Sequence, residues 1–326
     1  MSTASHERRH AMLKTAMGPA IGKALADPAV IEVMVNPDGR LWIDRLGEGR
    51  GDAGVHIHPS EAERIVRLVA SHAGAEVHAD NPIVSAELPV SANGTGGERF
   101  EGVLPPVSAA PCFAIRKPAA KIFTLADYVR ARVMVPVQAD ALRQAVRERR
   151  NILVAGGTSS GKTTLANALL AEIAGCDERV ILIEDTRELQ CAAKDCVALR
   201  TRPGIVSLAG LVRSTLRLRP DRIVVGEVRG AEALDMLKAW NTGHPGGIAT
   251  VHANSARSAL YRIEQLVQES VSVIPRRLIA EAIGMIVFIA GRGSARRIET
   301  IAEVTGLDAS GDYTVKPLSL TQPHSP

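Results

Sequence analysis

One segment, residues 151–165, constrains the fold of this chain more than any other. It reads NILVAGGTSSGKTTL, in which the apolar run 152–155 predicts a buried strand. Residues 156–163 match the pattern G-x-x-x-x-G-K-[ST], and a helical pattern extends from Thr164 to about Ala174. A strand, a glycine-rich loop and a helix in this order are the context in which the pattern binds phosphate.

The residue types of this loop suit the phosphates of a nucleoside triphosphate. Glycines let backbone N–H groups turn towards an anion, and the following helix directs the positive end of its dipole at the same point. The Lys162 ammonium is expected to reach the β- and γ-phosphates, and the Thr163 hydroxyl to hold Mg²⁺. The alternative, a chance glycine-rich turn, is disfavoured because the full pattern stands in its proper context. The expected nucleotide-binding residues of the loop are Gly156, Gly157, Thr158, Ser159, Ser160, Gly161, Lys162, Thr163 and Thr164.

The composition is that of a globular protein. A length of 326 residues suggests about two domains, and 46% hydrophobic with 23% charged residues allows a sizeable core. Aromatic residues make up only 3%, which argues against a surface whose main task is to stack nucleobases. The net charge of +4 is dispersed along the chain, so it is a weak indication of nucleic-acid binding.

The sequence also argues against several other classes of site. The amino terminus is charged and has no apolar segment of the kind found in a secretory signal. The longest apolar run, residues 282–290, has about half the length of a membrane span. A role at a membrane would therefore be that of a peripheral partner. The cysteines form no C-x-x-C pair and are expected to be reduced cytosolic thiols: Cys112, Cys176, Cys191 and Cys196.

The pattern of elements changes between the two parts of the chain. The first part is strand-rich, with a hairpin over residues 28–44 and a polar loop over residues 47–54. In the second part, apolar strands alternate with helices, which predicts an α/β fold with a mostly parallel sheet and helices on both faces. We therefore expect a smaller α+β domain over residues 1–120, a linker region over 121–136 and a P-loop domain over 137–326.

Polar residues follow three of the predicted strands of the second part. Glu184 follows VILI, Glu227 follows RIVVG, and the segment GHPGGIATVHA carries His244 and His252. Taken singly, each could be a hydrogen-bonded capping residue. Because ligands of open α/β sheets gather at the carboxyl ends of strands, a shared site with the phosphate loop explains them better.

Four motifs occur in an order that one known family shares: GGTSSGKTT, IEDTREL, LRLRPDRIVVGEVRG and TGHPGGIATVHANS. The series resembles the Walker A, Asp, Walker B and His boxes of the secretion ATPase superfamily. The earlier segment FAIRKP resembles part of that family's N-terminal domain, so the resemblance covers about residues 113–255. Within the superfamily, the chain is most similar to the conjugal transfer ATPases of type IV secretion. It lacks the tetracysteine zinc module of many type II secretion and pilus-assembly members.

The resemblance implies a hexameric ring of two-lobed subunits, each a RecA-like P-loop domain behind an N-terminal domain, with ATP and Mg²⁺ bound between the lobes. It implies a cytoplasmic location, peripheral to the inner membrane, among other components of a conjugation or type IV secretion apparatus. Hydrolysis of ATP to ADP and phosphate would move the lobes and so drive pilus assembly or substrate transfer. Direct binding of DNA stays open.

Carried over residue by residue, the resemblance gives each motif a role. Lys162 and Thr163 hold phosphate and Mg²⁺. Glu227 is the Walker B acid and Glu184 the Asp-box acid. Either could order the attacking water; Glu227 is favoured as the base, with Glu184 as its helper. His252 is the His-box residue nearest the phosphate.

The resemblance also implies roles for arginines. Arg116 is expected to reach the nucleotide from the N-terminal domain. Arg217 and Arg219, in LRLRPD, are candidates for contacts across a subunit boundary, whereas Arg229 is expected to serve local structure. His244 is a second candidate for the role of His252.

One position departs from the usual Walker B motif. The apolar run normally ends in Asp before the Glu, but this chain has Gly226 there. The departure fits the superfamily. Without that aspartate, Mg²⁺ would be held by Thr163, water and Glu184. The departure is also compatible with slow turnover of ATP.

Three functions therefore compete. The first is a hexameric ATPase motor of a conjugation or type IV secretion system. The second is a DNA-translocating ATPase, which predicts DNA-stimulated hydrolysis with a steep salt dependence. The third is an assembly scaffold whose ring forms on binding ATP, with negligible release of phosphate.

Overall fold

The structure is a computed structural model that describes residues 3–89, 97–118, 122–202 and 204–318. The chain divides into two compact units, Met1–Ala120 and Lys121–Pro326.

The first unit is an antiparallel sheet with helices against one face. Its elements are α1 (Thr3–Ala26), β1 (Val30–Val35), β2 (Arg40–Arg45), β3 (Gly49–His56), α2 (Pro59–Ala73), β4 (Ile83–Glu87), β5 (Arg99–Val103) and β6 (Cys112–Arg116). The strands lie in the order β3-β2-β1-β6-β5-β4. Side chains of both helices and of one sheet face share a single core, in which Val66, Phe100 and Ile115 are fully buried. The sequence pattern is that of a half-buried sheet, with alternate residues facing the helices.

The prediction of a polar loop over residues 47–54 is wrong. Most of that segment belongs to β3, the edge strand, which pairs with β2 in antiparallel register. Nearly all of its side chains are exposed. Because this strand is held mainly by backbone pairing, its sequence carries no alternation of apolar and polar residues, and its glycines suggest a loop instead.

The second unit contains the predicted phosphate loop. Its elements are α3 (Leu125–Arg130), α4 (Pro136–Arg147), β7 (Ile152–Gly156), α5 (Lys162–Ile173), β8 (Arg179–Glu184), β9 (Asp195–Arg200), α6 (Leu208–Thr215), β10 (Arg222–Val228), α7 (Glu232–Asn241), β11 (Ile248–His252), α8 (Ala256–Val267), α9 (Arg276–Ala282), β12 (Met285–Ala290), β13 (Arg297–Leu307) and β14 (Tyr313–Pro317). One turn of 3₁₀ helix, Gly293–Ala295, precedes β13.

The sheet of this unit has the strand order β14-β13-β12-β7-β11-β10-β8-β9. All pairs from β12 to β9 are parallel, and β13 and β14 add an antiparallel edge. The central strand β7 is buried along its whole length, which explains its continuous apolar sequence. Buried clusters cover both faces of the sheet. This is the predicted RecA-like architecture, and it brings the carboxyl ends of β7, β11, β10 and β8 to one edge.

The segment predicted as a linker, residues 121–136, contains α3. Thr124 caps this helix by accepting a hydrogen bond from the Asp127 amide, and the Asp127 carboxylate accepts one from the Thr124 amide. Leu125 and Tyr128 are buried in the core of the second unit. Among the described residues, no helix is both long and apolar enough to cross a membrane.

Candidate nucleotide-binding site

The phosphate loop follows the most central buried strand of the second unit. β7 lies between β12 and β11, and α5 begins at Lys162 directly after the loop. Two residues of the loop have positive φ, Ser159 at 60° and Gly161 at 97°. The chain therefore reverses tightly between strand and helix, which leaves the first amides of α5 available to an anion.

Packing explains two of the small residues in this loop. A Cβ at Gly156 would lie 2.5 Å from both the Ile289 carbonyl oxygen and Ser160 Oγ, so only glycine fits there. Ser160 itself is 3% exposed, and its hydroxyl has no hydrogen-bond partner among the described residues. A buried hydroxyl without an acceptor in the middle of an anion-binding loop fits a phosphate oxygen.

Four predicted side chains meet at the mouth of the loop. Lys162 Nζ donates to the Gly157 carbonyl oxygen at 3.0 Å and lies 3.3 Å from His252 Nδ1. The other ring nitrogen of His252, Nε2, lies 2.9 Å from Thr158 Oγ1. His252 Nδ1 is also 3.3 Å from Glu227 Oε1, so it can either accept from the ammonium or donate to the carboxylate. His252 therefore links the Walker A loop to the Walker B acid.

Glu227 is held as a carboxylate by its neighbours. Burial alone would raise its pKa, but hydrogen bonds and attraction from Arg229, a hydrogen bond with His252 and the charge of Lys162 outweigh burial, and the pKa falls below 4.5. Arg229 contacts Glu227 Oε2 through two nitrogens, with Nε at 2.7 Å. Glu227 is thus an oriented hydrogen-bond acceptor at neutral pH.

Glu184 has a different environment. It is 3% exposed, and its Oε1 accepts hydrogen bonds from the backbone amides of Glu188 at 2.9 Å and Leu189 at 2.7 Å. Burial outweighs these bonds and raises its pKa to about 7. A Cβ at Gly226 would lie 3.1 Å from Glu184 Cγ and 3.4 Å from Oε1. The Glu184 side chain therefore occupies the space that the usual Walker B aspartate would need.

We expect Glu184→Gln to flatten the dependence of stability on pH. The wild-type carboxyl binds its proton more tightly in the folded chain, with a pKa of about 7 against 4.5, so its contribution to stability is complete below about pH 4.5 and is lost as the pH rises through 7. Between about pH 5 and pH 8 this amounts to about 2–3 kcal/mol. Denaturant titrations at both pH values measure it.

The matched control for this experiment is Glu299→Gln, which changes an exposed glutamate on β13 in the same way. It is expected to leave the difference between the two pH values as in the wild type. An equal pH dependence in wild type and Glu184→Gln would contradict the raised pKa.

Three other predicted residues lie at the opposite end of this sheet. His244 Nδ1 is 2.9 Å from the carbonyl oxygen of Pro220, just before the start of β10. Arg217 and Arg219 precede the same strand end and are exposed. Since the phosphate loop follows the carboxyl end of β7, and β10 and β11 run parallel to it, none of these residues belongs to the cluster around Lys162. His252 is the His-box histidine in that cluster, and the two arginines keep only their proposed role between subunits.

Arg116 ends β6 in the first unit, and its side chain is exposed. In the sheet register it stands opposite Glu32 on one side and Arg99 on the other. Burial raises the pKa of Glu32, and the attraction of Arg116 opposes that rise. Arg99 could not be identified from sequence, because only strand register shows that it lies beside Arg116.

Two arginines at the phosphate loop itself were not predicted from the sequence. Arg292 and Arg296 follow β12, and both contact backbone carbonyls of the loop. Among the residues that the structure describes, no group of three or more His, Cys, Asp or Glu side chains is placed to hold a metal ion. Thr163, the predicted ligand of Mg²⁺, lies in the first turn of α5, directly after the phosphate loop.

A comparison with protein families gives one match that covers most of the chain. The family described as "Type II/IV secretion system protein" matches residues 55–292.

Curated relatives extend this similarity over nearly the full length. The chain is 48% identical to the conjugal transfer protein TrbB of Rhizobium radiobacter over 304 residues, which is 93% of this chain and 92% of that protein. It is 35% identical to the type IV secretion system protein PtlH of Bordetella pertussis over 323 residues, with 86% and 92% covered.

A solved structure supports the fold. The crystal structure of the pilus retraction motor PilT with bound ADP aligns with 95% of this chain and 84% of its own, at a TM-score of 0.62 and 19% sequence identity. The resemblance drawn from the four motifs, including the similarity to conjugal transfer proteins, is therefore confirmed.

Proposed function

Because this chain belongs to the type II/IV secretion system protein family, we propose that it is the traffic ATPase of a conjugation or type IV secretion system. One observation carries the proposal. Lys162, His252 and Glu227, from three separate motifs, are in contact at the carboxyl ends of neighbouring parallel strands. Hydrolysis of a nucleoside triphosphate needs a cation that binds the phosphates, a group that contacts the γ-phosphate and an acid that orders water. Lys162, His252 and Glu227 are suited to these three roles.

The loop residues supply the binding. Lys162 would exchange its bond to the Gly157 carbonyl for the phosphates, and the buried Ser160 hydroxyl would donate to a phosphate oxygen. Thr163, together with phosphate oxygens and water, would hold Mg²⁺, which supplies charge neutralisation at the phosphates when bound. The remaining loop residues, Gly157, Thr158, Ser159, Gly161 and Thr164, would contribute backbone amides and hydroxyls.

Glu227 would order the attacking water. Its carboxylate is ionised, fixed by Arg229 through Oε2, and presents Oε1 towards His252 and the loop. Glu184 stands on β8, beyond β10, and its Oε1 is already occupied by two backbone amides. This difference supports Glu227 as the base and Glu184 as a helper that shapes the site, although the pKa of Glu184 lies nearer to neutrality.

Membership of the family supports a proposal about the assembly and its place in the cell. We propose a homohexameric ring, cytoplasmic and peripheral to the inner membrane, that works with other components of the transfer apparatus. Arg116 would supply a cation to the phosphates from the first unit. Arg217 and Arg219 are exposed, as residues that contact a neighbouring subunit must be in an isolated chain.

Replacing Glu227 tests the proposed chemistry. Glu227→Gln should lower the turnover number for ATP by about 100-fold to 10,000-fold, because the amide cannot take a proton from the attacking water. The affinity for ATP should change little, since Lys162 and the loop amides remain. Phosphate release and equilibrium binding of ATP measure the two quantities separately.

The control variant is Glu281→Gln, which removes the charge of an exposed glutamate paired with Arg277 on α9. It should hydrolyse ATP like the wild type. Wild-type turnover in Glu227→Gln would overturn the assignment of the base.

A further inference from the structure

A short loop after β12 lies against the phosphate loop. β12 and β7 pair in parallel with Ile289 opposite Gly156, so the residues that follow each strand leave the sheet side by side. The β12 loop turns back at once through Gly291, whose φ is 76° and where a Cβ would lie 2.1 Å from the Ala295 carbonyl oxygen. This tight turn brings the side chains of Arg292 and Arg296 to the phosphate loop.

Both arginines contact backbone carbonyls on either side of one residue. Arg292 Nε donates to the Thr158 carbonyl oxygen at 3.0 Å. An Arg296 terminal nitrogen donates to the Ser159 carbonyl oxygen at 3.5 Å, a long bond. Ser159 lies between these two peptide groups and has a φ of 60°, a conformation that residues with a side chain rarely take. The arginines therefore donate to the peptide groups on both sides of Ser159, the loop residue whose backbone conformation is unusual for a residue with a side chain.

Arg296 also packs on the loop face. A Cβ at Gly161 would lie 3.1 Å from Arg296 Nε and 3.2 Å from its Cζ, so the guanidinium rests directly on the glycine. Arg296 Nε is buried and has no hydrogen-bond partner among the described residues. The guanidinium thus fills the outer side of the loop at the point where α5 begins.

The planar peptide turns these contacts into an effect on the other side of the loop. In a trans peptide the carbonyl and the following N–H point in opposite directions. A Thr158 carbonyl fixed towards Arg292 directs the Ser159 amide away from it, and the Ser159 carbonyl does the same for Ser160. The Ser160 amide donates a long hydrogen bond of 3.4 Å to the Gly157 carbonyl oxygen, which also accepts from the Lys162 ammonium, so both donors would exchange that carbonyl for a phosphate.

We propose that Arg292 and Arg296 are positioning residues that hold the phosphate loop in its anion-binding form by fixing two of its carbonyls outwards. The proposal rests on the proposed nucleotide binding and names a further part of that site. The arginines act through the Ser159 and Ser160 amides, which would meet the phosphates of a nucleoside di- or triphosphate. Neither arginine belongs to one of the four motifs that the sequence analysis identified.

The test is nucleotide affinity in the full-length chain. We expect Arg292→Gln and Arg296→Gln each to raise the Kd for ADP and the KM for ATP about tenfold, the size of one lost hydrogen bond to a charged group. The turnover number at saturating ATP should stay within about twofold, because Lys162, Glu227 and His252 are unchanged. Arg297→Gln is the matched control, since that neighbouring arginine is exposed and pairs with Glu299.

Two further measurements distinguish this positioning role of Arg292 and Arg296 from other roles of the same residues. At about 1 M salt, where the Debye length is about 3 Å, the loss of ADP affinity should persist if it comes from the carbonyl contacts. Arg292→Lys keeps a hydrogen-bond donor and a positive charge, so it should lose less affinity for ADP than Arg292→Gln. If Arg292→Gln does not fold, Arg292→Lys is measured in its place.

The outcomes are distinct. A wild type that binds no ADP would end the proposed function itself. If the wild type binds ADP and both glutamine variants bind it equally well, the positioning role of Arg292 and Arg296 is wrong, whereas the proposed function stands. A loss that disappears at high salt would also overturn the positioning role, because long-range attraction would then account for the effect.

Discussion

Lys162→Ala abolishes ATP hydrolysis, with an expected loss of at least about 100-fold in turnover number. Lys162 is 8% exposed, and its ammonium lies between the Gly157 carbonyl and His252, where negative charge would develop on a γ-phosphate in the transition state. Alanine leaves the loop amides and α5 in place but removes the only lysine of the loop. Phosphate release by the purified chain measures the effect.

The control for this variant is Lys238→Ala, which removes an exposed lysine from α7. It should hydrolyse ATP at the wild-type rate. If Lys162→Ala released phosphate as fast as the control, the phosphate loop would not take part in hydrolysis, although the chain has the fold of a P-loop domain.

The largest expected effect on stability belongs to a residue outside the site. Arg222 begins β10, is 1% exposed and donates from Nε to Glu178 Oε2 at 2.5 Å. Its terminal nitrogens donate to the carbonyl oxygens of Val146 at 2.9 Å and Gly246 at 3.3 Å. One guanidinium therefore joins α4, β10 and the turn before β11. Arg222→Ala should lower the free energy of unfolding by about 3–5 kcal/mol, because the mostly buried Glu178 carboxylate loses its nearer cation and keeps only the ion pair with Arg149 at 3.3 Å, while two carbonyls lose a side-chain donor.

Arg277→Ala is the comparison for this variant. It also breaks an arginine–glutamate pair, but the Arg277 side chain is 88% exposed, so the expected loss is much smaller than that of Arg222→Ala. Denaturant midpoints of the two variants measure the difference. Equal losses in both would show that the buried network around Arg222 contributes no more than a surface pair.

Local sequence was sufficient for the parts of the site that lie in one motif. The strand, loop and helix around Lys162 follow from fifteen or so consecutive residues, and the structure has β7 and α5 there. The contact of Glu227 and His252 was also predictable, because parallel strands bring their carboxyl ends to one edge. The family resemblance then identified which polar strand ends belong together.

The remaining features depend on strand order and burial, which the sequence does not show. Arg292 lies 134 positions after Thr158 in the chain, and only the pairing of β12 with β7 brings them together. Glu184 and Glu227 look alike in sequence, yet burial raises the pKa of the first while Arg229 lowers that of the second. Gly226 was noted as a departure from the Walker B pattern, but its reason, the Glu184 side chain beside it, is visible only in three dimensions.

The most direct test of the account is phosphate release per subunit, measured against protein concentration together with the mass in solution, for the wild type and Glu227→Gln. We predict that turnover rises steeply as the mass passes from one subunit to a ring, and that the variant forms the ring without turnover. A ring that binds ATP but releases no phosphate would contradict the motor and support an assembly scaffold. A single subunit that hydrolyses ATP at the full rate at every concentration would contradict the ring.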